Sequence, residues 1–118
     1  MEYRSSDLLG VRWVGLIGLG WLVVVGAGLF VPLMDNDSAH HANIALRMYL
    51  TGDYVSLIDY DGPYLDKPHL HFWLVALSYR LFGVTGFAYK FPAFIFCLVG
   101  IWAVYRAAYF LIGTSAGR

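Results

Sequence analysis

Residues 13–37 read WVGLIGLGWLVVVGAGLFVPLMDND. The 22 residues from Trp13 to Met34 carry no charge, and Asp35-Asn36-Asp37 follows at once. A helix needs roughly 20 mostly apolar residues to cross a hydrocarbon core about 30 Å thick. This run therefore qualifies as a span by itself, and the residues after it fall at the lipid–water boundary. The acidic segment that opens there closes at Tyr64-Leu65-Asp66-Lys67-Pro68, directly ahead of the next apolar run. Carboxylates and a lysine are thus held near the boundary at both ends of a short loop. A plain linker has no need of them, whereas a site for a charged lipid headgroup does.

Composition agrees with a membrane protein. Of 118 residues, 59% are hydrophobic and 14% charged, with a mean hydropathy of +0.61; soluble domains are about half apolar and about a quarter charged. Phe91 to Tyr105 is uncharged and continues past Arg106 to Gly113, a full span if Arg106 lies near an end or faces protein. His69 to Tyr79, extended by Leu81-Phe82, is shorter and carries two histidines. The expected fold is all-α: a polytopic membrane protein with three transmembrane helices, near 12–33, 69–83 and 91–113, and an outside loop, 34–68, that holds an interfacial helix. The first run is too long for a signal-peptide core and lacks a small-x-small cleavage site, so it reads as a retained anchor. The single cysteine, Cys97, reads as a small buried apolar residue.

The zero net charge argues against a nucleic-acid partner but hides an asymmetry. Residues 35–67 hold six aspartates against Arg47 and Lys67, a net of −4, while most basic residues lie outside that loop. Lys and Arg mark cytoplasmic flanks. Arg4, Arg12, Arg80 and Lys90 therefore place the N-terminus and the Gly83–Gly86 turn inside. The 34–68 loop is then extracytoplasmic, the periplasm if the membrane is a bacterial inner membrane.

The glycines of the first span, among them Gly15, Gly18 and Gly26, would let other helices approach closely. After Pro32, Asp37 is placed to cap a helix over Ser38–Leu50, with Gly52 beyond its end. Ala42, Ala45, Leu46 and Tyr49 form its apolar strip, and His40, Asn43 and Arg47 a polar one, the pattern of a helix lying in the interface. Asp61-Gly62-Pro63 signals a turn. Lys67-Pro68 opens the next helix. Val84-Thr85-Gly86 reads as a loop, and Pro92 as a first-turn residue of the third span.

Several residues suit chemistry. Asp35 and Asp37 stand at a helix start, where free amides and the dipole keep carboxylates ionised. Either capping and solvation, or general-base deprotonation of an acceptor hydroxyl or amine, fits that placement. Lys67, at a helix opening, either snorkels to lipid phosphates or joins free amides in a phosphate site. His40 and His41 are candidate substrate contacts. His69 and His71 lie about 200° apart on a helix and cannot share an ion there, and no zinc spacing is present. No cofactor is required; a divalent metal is possible but unsupported. Tyr54, Tyr60 and Tyr64 offer rings on which a sugar could stack.

The order of these pieces resembles a family. A span is followed by an acidic pair, by Met48-Tyr49-Leu50-Thr51-Gly52-Asp53-Tyr54, by Tyr64-Leu65-Asp66-Lys67-Pro68-His69-Leu70-His71-Phe72-Trp73, by Leu81-Phe82-Gly83, and by Lys90-Phe91-Pro92. From about residue 13 onward this is similar to the N-terminal part of the membrane-embedded glycosyltransferases of the aminoarabinose-transferase and dolichyl-phosphate-mannose–protein mannosyltransferase type. The resemblance implies the class C glycosyltransferase fold and inverting transfer of a sugar from a polyprenyl-phosphate donor to a lipid, protein or glycan acceptor. It implies a catalytic Asp37, with Asp35 the alternate, and Lys67 at the donor phosphate with Tyr64 and Asp66 beside it. Ser38 stands where a second acidic residue is usual, His69 where a second proline is, and His41 where an aromatic is common. Family enzymes carry about a dozen helices, so the chain reads as an N-terminal fragment whose partners are the donor lipid, membrane lipids and the remaining helices. The alternative is a small non-catalytic three-span subunit or transporter piece; further apolar spans encoded after codon 118 would favour the enzyme.

Overall fold

A computed structural model describes residues 3–60 and 62–113, with side chains from Arg12 to Leu111 except Asp61. Its regular elements are α1 (Tyr3–Gly28), α2 (Asn36–Thr51), β1 (Ile58–Asp59), β2 (Gly62–Pro63), α3 (His69–Phe82) and α4 (Gly86–Gly113). Residues 1–32 form one compact unit and residues 33–118 a second.

In the first unit, Val14, Leu16, Leu19 and Leu22 of α1 are all exposed. Apolar residues on every face are the mark of a helix meant for an apolar environment. The helix ends in tight turns, with the Leu29 amide donating to the Gly26 carbonyl at 3.2 Å and Phe30 to Ala27 at 3.1 Å.

Among the described residues one helix is long and apolar enough to cross a membrane, Gly86–Leu111 of α4, with a mean hydropathy of 1.8; Arg12–Gly28 of α1 is a shorter apolar stretch. Helices occupy all three expected apolar runs, but the 14 residues of α3 extend only about 21 Å.

The second unit shows three departures from the sequence reading. First, α2 is capped by Asp35 rather than Asp37. The Asp35 carboxylate accepts from the Ser38 amide at 3.1 Å and the Ser38 hydroxyl at 3.2 Å, and Asp37 lies in the first turn. Ser38, at the third helical position, gives Asp35 two donors, which Asp37 lacks among the described residues. At the other end Gly52 closes α2 as expected, left-handed at φ 71°, its amide on the Met48 carbonyl at 3.0 Å. Second, α4 begins at Gly86, and Pro92 is inside it. Thr85 supplies the cap, its hydroxyl accepting from the Ala88 amide at 3.1 Å. Third, a short antiparallel hairpin pairs Ile58 with Pro63 and Asp59 with Gly62, a strand pair the all-α expectation omitted; Asp61 of the expected turn lies outside the described residues. Gly62, at φ 129°, takes a backbone geometry closed to other residues.

The core lies between α2 and α3 and is closed by the first turn of α4. Ile44, Ala45 and Met48 pack with Phe72, Val75, Ala76, Tyr79, Ala88 and loop residue Leu57. His41 meets His71 and Phe72 near the start of α3, whereas Tyr49 meets Tyr79 near its end. The Tyr79 hydroxyl also donates to the Ala42 carbonyl at 3.4 Å, and residues 52–68 connect the two helices. That connection is tied down by Trp73, which donates from Nε1 to the Tyr54 carbonyl at 2.7 Å, and by His69, from Nε2 to the Val55 carbonyl at 2.8 Å. Within it Asp53 accepts from the Val55 and Ser56 amides at 2.9 and 3.0 Å. These bonds, the Ser56 amide foremost, hold the Asp53 carboxyl below its ordinary range.

Phe72 is fully buried at the centre of this contact. Phe72→Ala is expected to destabilise the chain by about 3–5 kcal/mol, measured by denaturant titration in detergent, whereas Phe96→Ala, at an exposed position, should leave the midpoint within about 0.5 kcal/mol.

Candidate functional site

The first two turns of α2 carry Asp37, His40 and His41. Positions three and four apart share a helix face, so both imidazoles lie beside the Asp37 turn. The hairpin returns the chain to them. The Tyr64 amide donates to the Leu57 carbonyl at 2.8 Å, which fixes Tyr64 just after β2. Its hydroxyl shares a 3.0 Å hydrogen bond with His41 Nε2. His40 Nε2 lies 3.5 Å from the Asp59 carboxylate. The ring of Tyr64 stands edge-on to both histidines, with centroids 5.3 Å from His40 and 5.9 Å from His41. Phe72 forms the floor beneath His41 and Tyr64.

The second wall comes from α3 and α4. The His71 ring is 6.1 Å from His41 and 5.7 Å from Tyr89. Tyr89, in the first turn of α4, faces the Ser38 side chain and lies within the fields of Asp35 and Asp37. Three helix starts therefore contribute to one cluster of rings and carboxylates.

The two candidate carboxylates differ in engagement. Asp35 is occupied by its cap bonds to Ser38. Asp37 is exposed and accepts no hydrogen bond among the described residues. An ionised carboxylate with open lone pairs can take a proton from a hydroxyl or amine brought to it. Lys67 is exposed and makes no ion pair among the described residues. It lies just before Pro68, which caps α3 without a side-chain hydrogen bond, so the first amides of α3 have no side-chain cap. Asp66 is exposed beside it.

Of the residues singled out from sequence, His40, His41 and Tyr64 are in mutual contact, with Asp37 and Asp66 acting on Tyr64 through their fields. No direct contact joins Lys67 to Asp37 among the described residues, and neither lines the cavity of about 280 Å³ along α2 or that of about 160 Å³ between α3 and α4. Sequence reading missed Asp59, His71 and Tyr89. Asp59 was countable only as loop charge. His71 points away from His69 on α3, and that separation was legible. Tyr89 was findable had Thr85 been read as a cap.

Loss of solvent, then the negative fields of Asp66, Asp37 and Asp59, push the Tyr64 phenol above the usual tyrosine range. A difference ultraviolet titration should therefore show that Tyr64→Phe removes a tyrosine that titrates above the ordinary range. In Asp37→Asn its midpoint should move down toward the ordinary value, because a negative neighbour has been removed.

Comparison with known proteins gives one finding. The family model described as dolichyl-phosphate-mannose-protein mannosyltransferase matches residues 66–118, a stretch that includes Asp66 and Lys67. No curated protein and no solved structure matches the chain. The match supports a mannosyltransferase-like glycosyltransferase family, and with the apolar α4 it is consistent with a membrane protein.

Proposed function

We propose that this chain forms the donor-phosphate and general-base part of an inverting glycosyltransferase that uses a polyprenyl-phosphate sugar at the extracytoplasmic face of the membrane. Asp37 accepts the proton of the acceptor hydroxyl or amine as that atom attacks the anomeric carbon. The bond to the donor phosphate breaks on the opposite side, and the phosphate leaves with the electron pair. Lys67 and the first amides of α3 balance the charge that grows on it. Stabilising a charge that develops only in the transition state is where binding energy accelerates a reaction. Tyr64 and Asp66 border the same site, and His40 and His41 are substrate contacts.

The observation that carries this reading is the opening of α3: Lys67 stands just ahead of first amides that have no side-chain cap. A helix N-terminus with a lysine suits a phosphate. Asp37, the proposed base, lies in the first turn of α2. The family match over residues 66–118 agrees in reaction class. The donor tail lies in the bilayer, alongside the remaining helices of the enzyme.

Two outcomes are expected in the full-length enzyme. Asp37→Asn should lower transfer by about 10²- to 10⁴-fold while polyprenyl-phosphate binding is retained, with turnover and binding measured separately in nanodiscs; transfer at the normal rate removes Asp37 as the base. Lys67→Ala should weaken binding of the lipid phosphate by about 10- to 100-fold, an effect that Lys67→Arg should partly restore; unchanged binding removes its role.

A further inference from the structure

The far side of Asp59 opens into a cavity of about 280 Å³ between the later half of α2 and the hairpin. Ile44 and Ile58 contribute to its apolar floor, and Asn43, Arg47, Asp59 and Tyr60 bring polar groups to it. The Tyr60 side chain is 84% exposed beside it, far more than an aromatic ring needs for a packing role. Asn43 and Arg47 are exposed too, and neither side chain makes a hydrogen bond or ion pair among the described residues. Asp59 has one oxygen near His40 and the other open.

These groups limit what can bind. Small-molecule sites are mostly apolar with a few placed polar groups, and run from about 300 Å³ upward. A cavity at that lower bound takes a single ring rather than an extended peptide. The six aspartates of the loop segment against Arg47 and Lys67 disfavour an anion. Arg47 at the cavity disfavours a cation. A neutral ligand with an apolar face and a hydroxyl-bearing edge satisfies all of these conditions.

We propose that this cleft is a subsite for a neutral pyranose ring. Tyr60 covers the C–H face of the sugar, and Asn43, Arg47 and Asp59 exchange hydrogen bonds with its hydroxyls. The ligand class stands on the cleft alone; that the sugar belongs to the acceptor rests on the glycosyltransferase reading above. Arg47 lies ten residues along α2 from Asp37, about 15 Å, so the bound ring is a remote anchor and not the reacting hydroxyl. The Asp59–His40 contact joins the anchor to the candidate site.

The test is binding without donor. The full chain in nanodiscs is titrated with methyl mannoside and methyl glucoside by saturation-transfer NMR, and a sugar phosphate, the anionic probe, is titrated against Lys67→Ala, in which the candidate phosphate site is removed. The neutral glycosides should bind, and the sugar phosphate should bind more weakly. Tyr60→Ala should weaken the glycosides about tenfold, and Asn43→Ala should weaken them too, with unchanged circular dichroism and melting. The proposal is overturned if neither glycoside binds, if both variants bind as the parent does, or if the phosphate binds as well as the neutral sugars. Glycoside binding without any sugar transfer by the full-length enzyme would instead sink only the acceptor role.

Discussion

The second unit depends on how closely α2 can approach α3. Ala45, Ala76 and Ala88 are all at most 1% exposed, and their small side chains let the helices and the first turn of α4 close on one another. The space left is filled by Phe72 and Val75. This contact draws a polar loop helix down onto an apolar one. It carries the histidines of α2 with it, because Ala42, Ala45 and Met48 on the buried face set the rotation of the helix and thereby aim His41 at Phe72 and Tyr64. A bulkier residue at Ala45 would tilt α2 and separate His41 from Tyr64 before any site residue was touched.

The placement of the cap decides which carboxylate is available. Asp35 and Asp37 are chemically alike and two residues apart, yet one is spent on the Ser38 donors and the other is not. Asp37 keeps its place in the first turn of α2 without losing lone pairs to the backbone. Around it, Tyr64 is enclosed by rings and faced by three negative charges. The phenol therefore stays protonated and can keep donating to or accepting from His41 across the ordinary pH range.

The helices and their apolar runs were legible because length and hydropathy alone report them. Gly52 as a helix stop was legible because a left-handed C-cap strongly favours glycine. The cap at Asp35 was not: Asp35 and Asp37 both satisfy the pattern, and only the position of Ser38 relative to each distinguishes them. Pro92 misled for a similar reason, since proline is commonest in first turns and Thr85 was not weighed as a competing cap. In the site, His40 and His41 were singled out as substrate contacts and Tyr64 as a neighbour of Lys67, and their mutual contact was not legible; the pairing of His40 with Asp59 depends on a hairpin of two-residue strands, too short to leave a periodic signal. His41, in a position where an aromatic residue is common in the resembling enzymes, packs as one: its ring meets Tyr64, His71 and Phe72 edge-on. The substitution keeps the shape and adds a nitrogen, and that nitrogen holds the Tyr64 hydroxyl.

The connection between α2 and α3, residues 52–68, is mostly exposed and accordingly polar. It is stitched to α3 by Trp73 and His69 through backbone carbonyls, which leaves its side chains, Tyr60 and Asp59 among them, available to face the cleft along α2. The connection thus does two jobs with one piece of chain: it leads to the lysine at the opening of α3, and on the way it builds a wall of the cavity along α2.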